Sequence, residues 1–239
     1  MSLMESSSEQ RQGKQALALA AHDASGRVTP TRISRRDTGD DDVAIQILYC
    51  GICHSDLHTI KNDWRNAMYP VVPGHEIAGL VTEVGKNVSK FSVGDRVGVG
   101  CMIVFTYNSR DGDGAATYGG YSDAVVVNER FVVSFPDGML LDAGAPLLCA
   151  GISVYAPMKH HGLNAPGKSV GVVGRGGLGH VAVKFAKAFG MRVTVISTSP
   201  EKREEAVEKL GADAFVVSSD ADQMKYWFMG TGDSSNQTK

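Results

Sequence analysis

Four side chains spread over the first 149 residues have types that together hold a transition metal: Cys53, the adjacent His75 and Glu76, and Cys149. Two thiolates and an imidazole form a donor set for zinc that leaves a fourth position open, as a catalytic metal requires. Taken singly, each residue has a plainer reading. A buried cysteine is commonly inert core, and a His-Glu pair is commonly a surface pair or a structural hydrogen bond. Cys50-x-x-Cys53 also reads as half of a redox or zinc knuckle, with no second C-x-x-C to complete it.

The second constellation is Gly174-Arg175-Gly176-Gly177-Leu178-Gly179, a G-x-G-x-x-G run between strand-like SVGVVG (169–174) and helix-like GLGHVAVKFAKAFG (177–190). In that setting the glycines let the backbone turn and approach a pyrophosphate at the helix N-terminus. The next strand, RVTVIST (192–198), ends on Ser197, Thr198 and Ser199, with Lys202 and Arg203 one turn on. An acid there would bind the ribose of NAD; hydroxyls and cations instead predict a 2′-phosphate, hence NADP(H). The plainer reading of Lys202 and Arg203 is a solvated helix face. Arg175 either contacts phosphate or disturbs the loop.

These residues must be positioned by two kinds of element. From about 28 to 135 the chain reads as short strands and turns: VAIQILYC (43–50), IAGLVTEV (77–84) and DRVGVG (95–100) are rich in β-branched residues. From about 167 the order is strand, helix, strand, amphipathic helix (PEKREEAVEKLG, 200–211) and strand (AFVVSS, 214–219), which predicts a parallel sheet. At 239 residues the chain suits one large domain or two modest ones. A net charge of −2 gives no basic field for nucleic acid. Four scattered cysteines are too few for a disulfide framework, so a reducing compartment is expected. The polar start, MSLMESSSEQRQGK, lacks the apolar core of a secretory signal, and no run is long enough to cross a bilayer. The expected location is the cytoplasm.

GHEIAGLVTEVGKNVSKFSVGDRVGV (74–99) resembles the zinc-containing medium-chain alcohol dehydrogenases at Gly74, His75, Glu76, Gly79, Val81, Gly85, Val88, Gly94, Asp95 and Val97. CGICHSDLH (50–58) and APLLCAGISVY (145–155) add the other two ligand segments in order, and these flanks resemble the cinnamyl alcohol dehydrogenase branch found in plants. The likeness runs from about residue 40 to 225. It implies an all-β GroES-like domain followed by an α/β Rossmann domain, with catalytic zinc on Cys53, His75 and Cys149 and with Glu76 beside it or exchanging into it. It implies that Ser55 and His58 relay a proton, that Ser153 lies on the nicotinamide side, and that Phe105 walls an aromatic-substrate pocket. The implied reaction is NADPH-linked, reversible reduction of cinnamyl-type aldehydes, as in lignin metabolism, with a small aromatic aldehyde or alcohol as partner and no nucleic acid or membrane.

The expected boundaries are a polar extension at 1–27, a GroES-like zinc domain at 28–155, a partial Rossmann domain at 156–225 and a divergent tail at 226–239. Two departures from the family stand out. Its structural-zinc lobe has four close cysteines, whereas GVGCMIVFTYNSRD (98–111) holds only Cys101, so no structural zinc is expected. The second half of the cofactor fold and its dimer edge have no counterpart after Lys225, which leaves strand 169–174 with a bare edge and self-association open. A catalytically impaired, truncated paralogue, or a splice or gene-model variant, that binds cofactor weakly or pairs with a full-length relative is the competing expectation, and a zinc-free quinone reductase-like member is a third.

Overall fold

The computed structural model describes residues 13–101, 106–111 and 114–230. Phe105 and the end of the expected tail, 231–239, lie outside them. The chain divides into two compact units, Met1–Cys149 and Ala150–Lys239.

In the first unit, β1 (Lys14–Ala20) and β2 (Thr29–Arg35) form an antiparallel pair. β1 falls inside the stretch expected to be a polar extension, which is therefore partly a correction. Its alternation is inverted: Ala16, Ala18 and Ala20 are buried, while Leu17 and Leu19 face outward at 55% and 43% exposure. The inward methyls pack on Ile33 and Val72. A small face inside and large apolar residues outside defeat a reading by hydrophobic alternation.

The chain continues through β3 (Asp42–Cys50), α1 (His54–Ile60), β4 (Ile77–Val84), β5 (Arg96–Val99), β6 (Ala124–Asn128) and β7 (Val132–Ser134). The five strands form one antiparallel sheet in the order β6-β3-β4-β5-β7. β-branched residues at alternate positions, among them Val43, Ile45, Val81, Val97 and Val125, fill its core. A short helix, α2 (Leu141–Gly144), and a 3₁₀ turn, Ala145–Leu148, pack on this sheet and carry the chain to Cys149. Ala78, Phe135, Leu141 and Ala145 form the cluster beneath them.

The second unit contains α3 (Ala150–His160), β8 (Ser169–Val173), α4 (Gly177–Ala188), β9 (Arg192–Ser197), β10 (Ala214–Val217) and α5 (Ala221–Gly230). The strands form a parallel sheet in the order β10-β9-β8. α4 turns Ala182, Val183 and Ala186 onto Val172, Val193 and Val195 of the sheet. The helix expected over 200–211 forms as one helical run with changing pitch: 3₁₀ at Pro200–Lys202, α-helical at 203–204 and π-helical at Glu205–Lys209. Pro200 opens this run at the first helical position, and Ser199 before it is extended, as the residue before a proline prefers. The apolar YWFM run, which opens the expected divergent tail, lies within α5. The Trp227 ring lies over Gly171 of β8, where an added Cβ would come within 3.1 Å of it. Among the described residues β8 pairs only with β9, and Val173 at its end is 79% exposed. No single described helix is long and apolar enough to cross a membrane.

Candidate metal centre and cofactor loop

β3 ends at Cys50, paired with Ile77 at the start of β4, and the Gly51 amide donates to the Glu76 carbonyl at 2.9 Å, one step beyond the ladder. This pairing sets the 50–53 turn beside His75 and Glu76. Gly74 turns the chain into β4 with φ +103°, and a Cβ there would meet Tyr121 and the Cys50 sulfur inside 3 Å. Only glycine fits that corner.

Cys53 is the N-cap of α1. Its amide donates to Asp56 Oδ2 at 3.0 Å, the return arm of a capping box. The other oxygen, Asp56 Oδ1, accepts from the Gly74 amide at 3.0 Å and lies 3.1 Å from His75 Nδ1, while the Tyr121 hydroxyl donates to Oδ2 at 3.2 Å. Asp56 is 1% exposed. One carboxylate thus starts the helix, ties it to the turn before β4 and orients the imidazole, leaving Nε2 of His75 for another partner. Tyr107 stacks on the His75 ring, with centroids 5.9 Å apart.

The 3₁₀ turn after α2 brings in Cys149. One ligand atom from each of Cys53, His75, Glu76 and Cys149 lies within 4.8 Å of the others. The two sulfurs are 3.9 Å apart. Two sulfurs bound tetrahedrally at about 2.3 Å to one zinc lie about 3.8 Å from each other, so the donor set fits zinc in spacing and chemistry. All four cysteines are free.

The electrostatics separate the two thiols. Burial works against the Cys53 thiolate, but the hydroxyl and amide of Ser55, together with His75, outweigh it and lower its pKa. Ser55 Oγ lies 3.4 Å from Cys53 Sγ. Burial pushes the Cys149 thiol up, and the neighbouring Cys101 and Cys53 sulfurs push the same way. At His75 burial lowers the pKa, yet the hydrogen bond and charge of Asp56, aided by Cys53, raise it to about 8. Protons therefore compete for this site over the neutral range, because a ligating imidazole must be neutral and a ligating cysteine must be a thiolate. Zinc affinity, measured by competition with a chromophoric chelator, is expected to rise at least about tenfold per pH unit between 6 and 8. The sign follows because zinc must displace a proton from Cys149 throughout that window and from His75 below about pH 8; an affinity flat with pH would contradict it.

His58 lies one turn along α1 from Ser55. Its Nδ1 pairs with Asp63 Oδ2 at 2.8 Å, and its ring lies 5.2 Å from that of Trp64. Asp56 and Asp63 are the partners that sequence reasoning missed. The C-x-x-D spacing of a capping box was an available signal for Asp56; Asp63 had none. Ser153, in α3 of the second unit, is exposed.

In the second unit the glycine run forms the turn from β8 into α4. Gly174 has φ +82°, and its amide donates to the Ile196 carbonyl of β9 at 2.8 Å. At Gly174, Gly176 and Gly177 an added Cβ would meet nothing within 4 Å, whereas at Gly179 it would lie 1.9 Å from the Gly174 carbonyl. Gly179 therefore allows helix and turn to touch, and the other glycines present open backbone, as a pyrophosphate needs. Leu178 is half exposed. At the end of β9, Ser197 is buried and its hydroxyl accepts from the Ser199 amide at 3.2 Å. Thr198 is exposed, and Ser199 and Lys202 are partly so. Arg175 does not reach into solvent: its Nη1 pairs with Glu205 Oε1 at 2.8 Å.

Comparison with known proteins points to the zinc-containing alcohol dehydrogenases. The alcohol dehydrogenase GroES-like domain family matches residues 39–137, and the zinc-binding dehydrogenase family matches residues 177–234. A relative from Oryza sativa subsp. japonica, named probable cinnamyl alcohol dehydrogenase 3, is 67% identical over 89% of this chain and 63% of its own length. One from Medicago sativa, named probable mannitol dehydrogenase, is 60% identical over 91% of this chain and 66% of its own. The crystal structure of a Helicobacter pylori cinnamyl alcohol dehydrogenase complexed with NADP(H) superposes with a TM-score of 0.79 at 39% identity, covering 85% of this chain and 64% of that one. The chain thus spans just under two thirds of the length of these curated relatives.

Proposed function

The chain belongs to the zinc-containing medium-chain alcohol dehydrogenases, in their cinnamyl alcohol dehydrogenase branch, and on that premise we propose that it carries the metal centre and the NADP(H)-binding half of an aromatic aldehyde reductase. The observation that carries this reading is the Cys53, His75, Glu76 and Cys149 cluster with sulfurs 3.9 Å apart. Cys53, Cys149 and Nε2 of His75 would hold zinc, with Glu76 beside it. Gly174 to Gly179, Thr198, Ser199 and Lys202 would receive the cofactor, and Ser153 would line its nicotinamide side. When bound, zinc supplies a Lewis acid for the carbonyl oxygen and NADPH supplies the hydride.

The chain's own residues deliver the proton that balances the reduction of aldehyde to alcohol. Ser55 Oγ lies next to the Cys53 sulfur, at the site, and hands on a proton as donor and acceptor in turn. His58, one turn further along α1, would pass that proton on to solvent. The carboxylate of Asp63 accepts from Nδ1–H of His58, which leaves Nε2 as the working nitrogen. The free cysteines suit a reducing compartment, and we assign the protein to the cytoplasm.

The test is NADPH oxidation by purified, zinc-supplemented protein with cinnamaldehyde as acceptor and mannitol with NADP⁺ as the rival substrate. Turnover with cinnamaldehyde is expected. Folded, zinc-loaded protein that turns over neither would leave the centre assembled but idle, and would favour a non-catalytic chain that pairs with a full-length relative.

A further inference from the structure

Arg175 occupies the second position of the glycine turn, where the resembled family carries an apolar residue. In a turn made of exposed glycines, its side chain is only 13% exposed. It runs from the end of β8 toward the segment that follows β9 and pairs there with Glu205, the first residue of the π-helical turn. Its Nε is buried without a hydrogen-bond partner. An unsatisfied buried N–H of a charged group is costly, and a guanidinium is a planar fork of five donors suited to two-pronged contact with phosphate. The arginine therefore has donors to spare beyond its pairing with Glu205. The ground it crosses lies outside the carboxyl ends of two adjacent parallel strands, the crevice in which a doubly wound sheet holds the adenosine ribose. No carboxylate ends β9; the residues there are Ser197, Thr198 and Ser199.

We infer that Arg175 is a selectivity residue for the 2′-phosphate of NADP(H), and that Glu205 holds its guanidinium in place and competes with that phosphate for it. This rests on the NADP(H) reading above. Glu205 acts as a stand-in anion in the free protein, and a 2′-phosphate displaces it. A 2′-hydroxyl, lacking the charge, does not. Selection is thereby sharpened at the glycine turn as well as at the hydroxyls after β9.

Calorimetric titration of zinc-loaded protein with 2′,5′-ADP and with 5′-AMP separates the cases without measuring turnover. The unaltered protein is expected to prefer 2′,5′-ADP. Arg175→Leu is expected to weaken 2′,5′-ADP by about 10- to 100-fold, the value of a charged hydrogen-bonded contact, and to leave 5′-AMP within about twofold. Retained 5′-AMP binding shows that the turn still stands. Glu205→Gln, at a partly exposed side chain, is expected to tighten 2′,5′-ADP several-fold. If Arg175→Leu leaves the preference intact, Arg175 is not the selector and Thr198, Ser199 and Lys202 carry it. If Glu205→Gln weakens 2′,5′-ADP, the carboxylate positions the arginine and does not compete with phosphate. If the unaltered protein shows no preference, the NADP(H) reading itself falls.

Discussion

Cys149→Ala protein is expected to purify with almost no zinc and to lose at least about 10³-fold in turnover. Removing one of two thiolates leaves His75 and Cys53 as the strong donors, a set that neither closes a tetrahedron nor holds the metal at one open position. A Lewis acid at a reacting carbonyl supplies several kcal/mol, and each 1.36 kcal/mol is tenfold in rate. Cys53→Ser is the companion, because serine can still cap α1 while its hydroxyl does not ionise as the lowered Cys53 thiol does. Cys101→Ala is the control. That exposed cysteine adjoins Cys149, but it does not belong to the cluster and is expected to leave about one zinc per chain. Plasma emission of the dialysed proteins decides the matter. Zinc retained by both Cys149→Ala and Cys53→Ser, but lost in Cys101→Ala, would move the site to a different pair of sulfurs.

The parts legible in the sequence were those with a local signature. IAGLVTEV, read as a strand from its β-branched content, coincides with β4, and G-x-G-x-x-G sits in the strand-to-helix turn its spacing implies. The metal ligands could be picked out only as a set, since Cys149 lies 96 positions from Cys53 and nothing local joins them. Two kinds of feature were hidden. β1 hides because alanine faces inward and leucine outward. The changes of pitch within the helical run at 200–209 hide because α, 3₁₀ and π turns share the same amphipathic spacing to within a residue. The fate of Arg175 was equally closed, because a side chain in a turn is directed by whichever partner lies across from it, here Glu205, thirty residues further along.

Asp56 is the clearest case of a residue hidden by its own helix, and Asp56→Asn is expected to weaken zinc binding by about 10- to 100-fold, the usual cost of losing the partner behind a ligating histidine. The carboxylate accepts at both oxygens: Oδ2 from the Cys53 amide and the Tyr121 hydroxyl, Oδ1 from the Gly74 amide and His75 Nδ1. Asparagine offers one oxygen and one NH₂, so whichever way it turns, a backbone amide faces a donor. If its NH₂ faces Gly74, His75 also loses the acceptor for Nδ1–H and is free to present the wrong tautomer to the metal. If its NH₂ faces Cys53, the cap of α1 is lost and the thiolate shifts with it. Either outcome acts through a side chain that never touches the metal. The negative charge goes too, and with it the main influence that raises the His75 pKa to about 8 against burial. In Asp56→Asn the imidazole should therefore lose its proton at lower pH. Its zinc affinity should be lower at pH 8 and fall less steeply between pH 8 and 6 than in the unaltered protein. Chelator competition at the two pH values reads both effects at once. Loss of affinity with an unchanged pH slope would mean that Asp56 shapes the turn but does not govern the histidine.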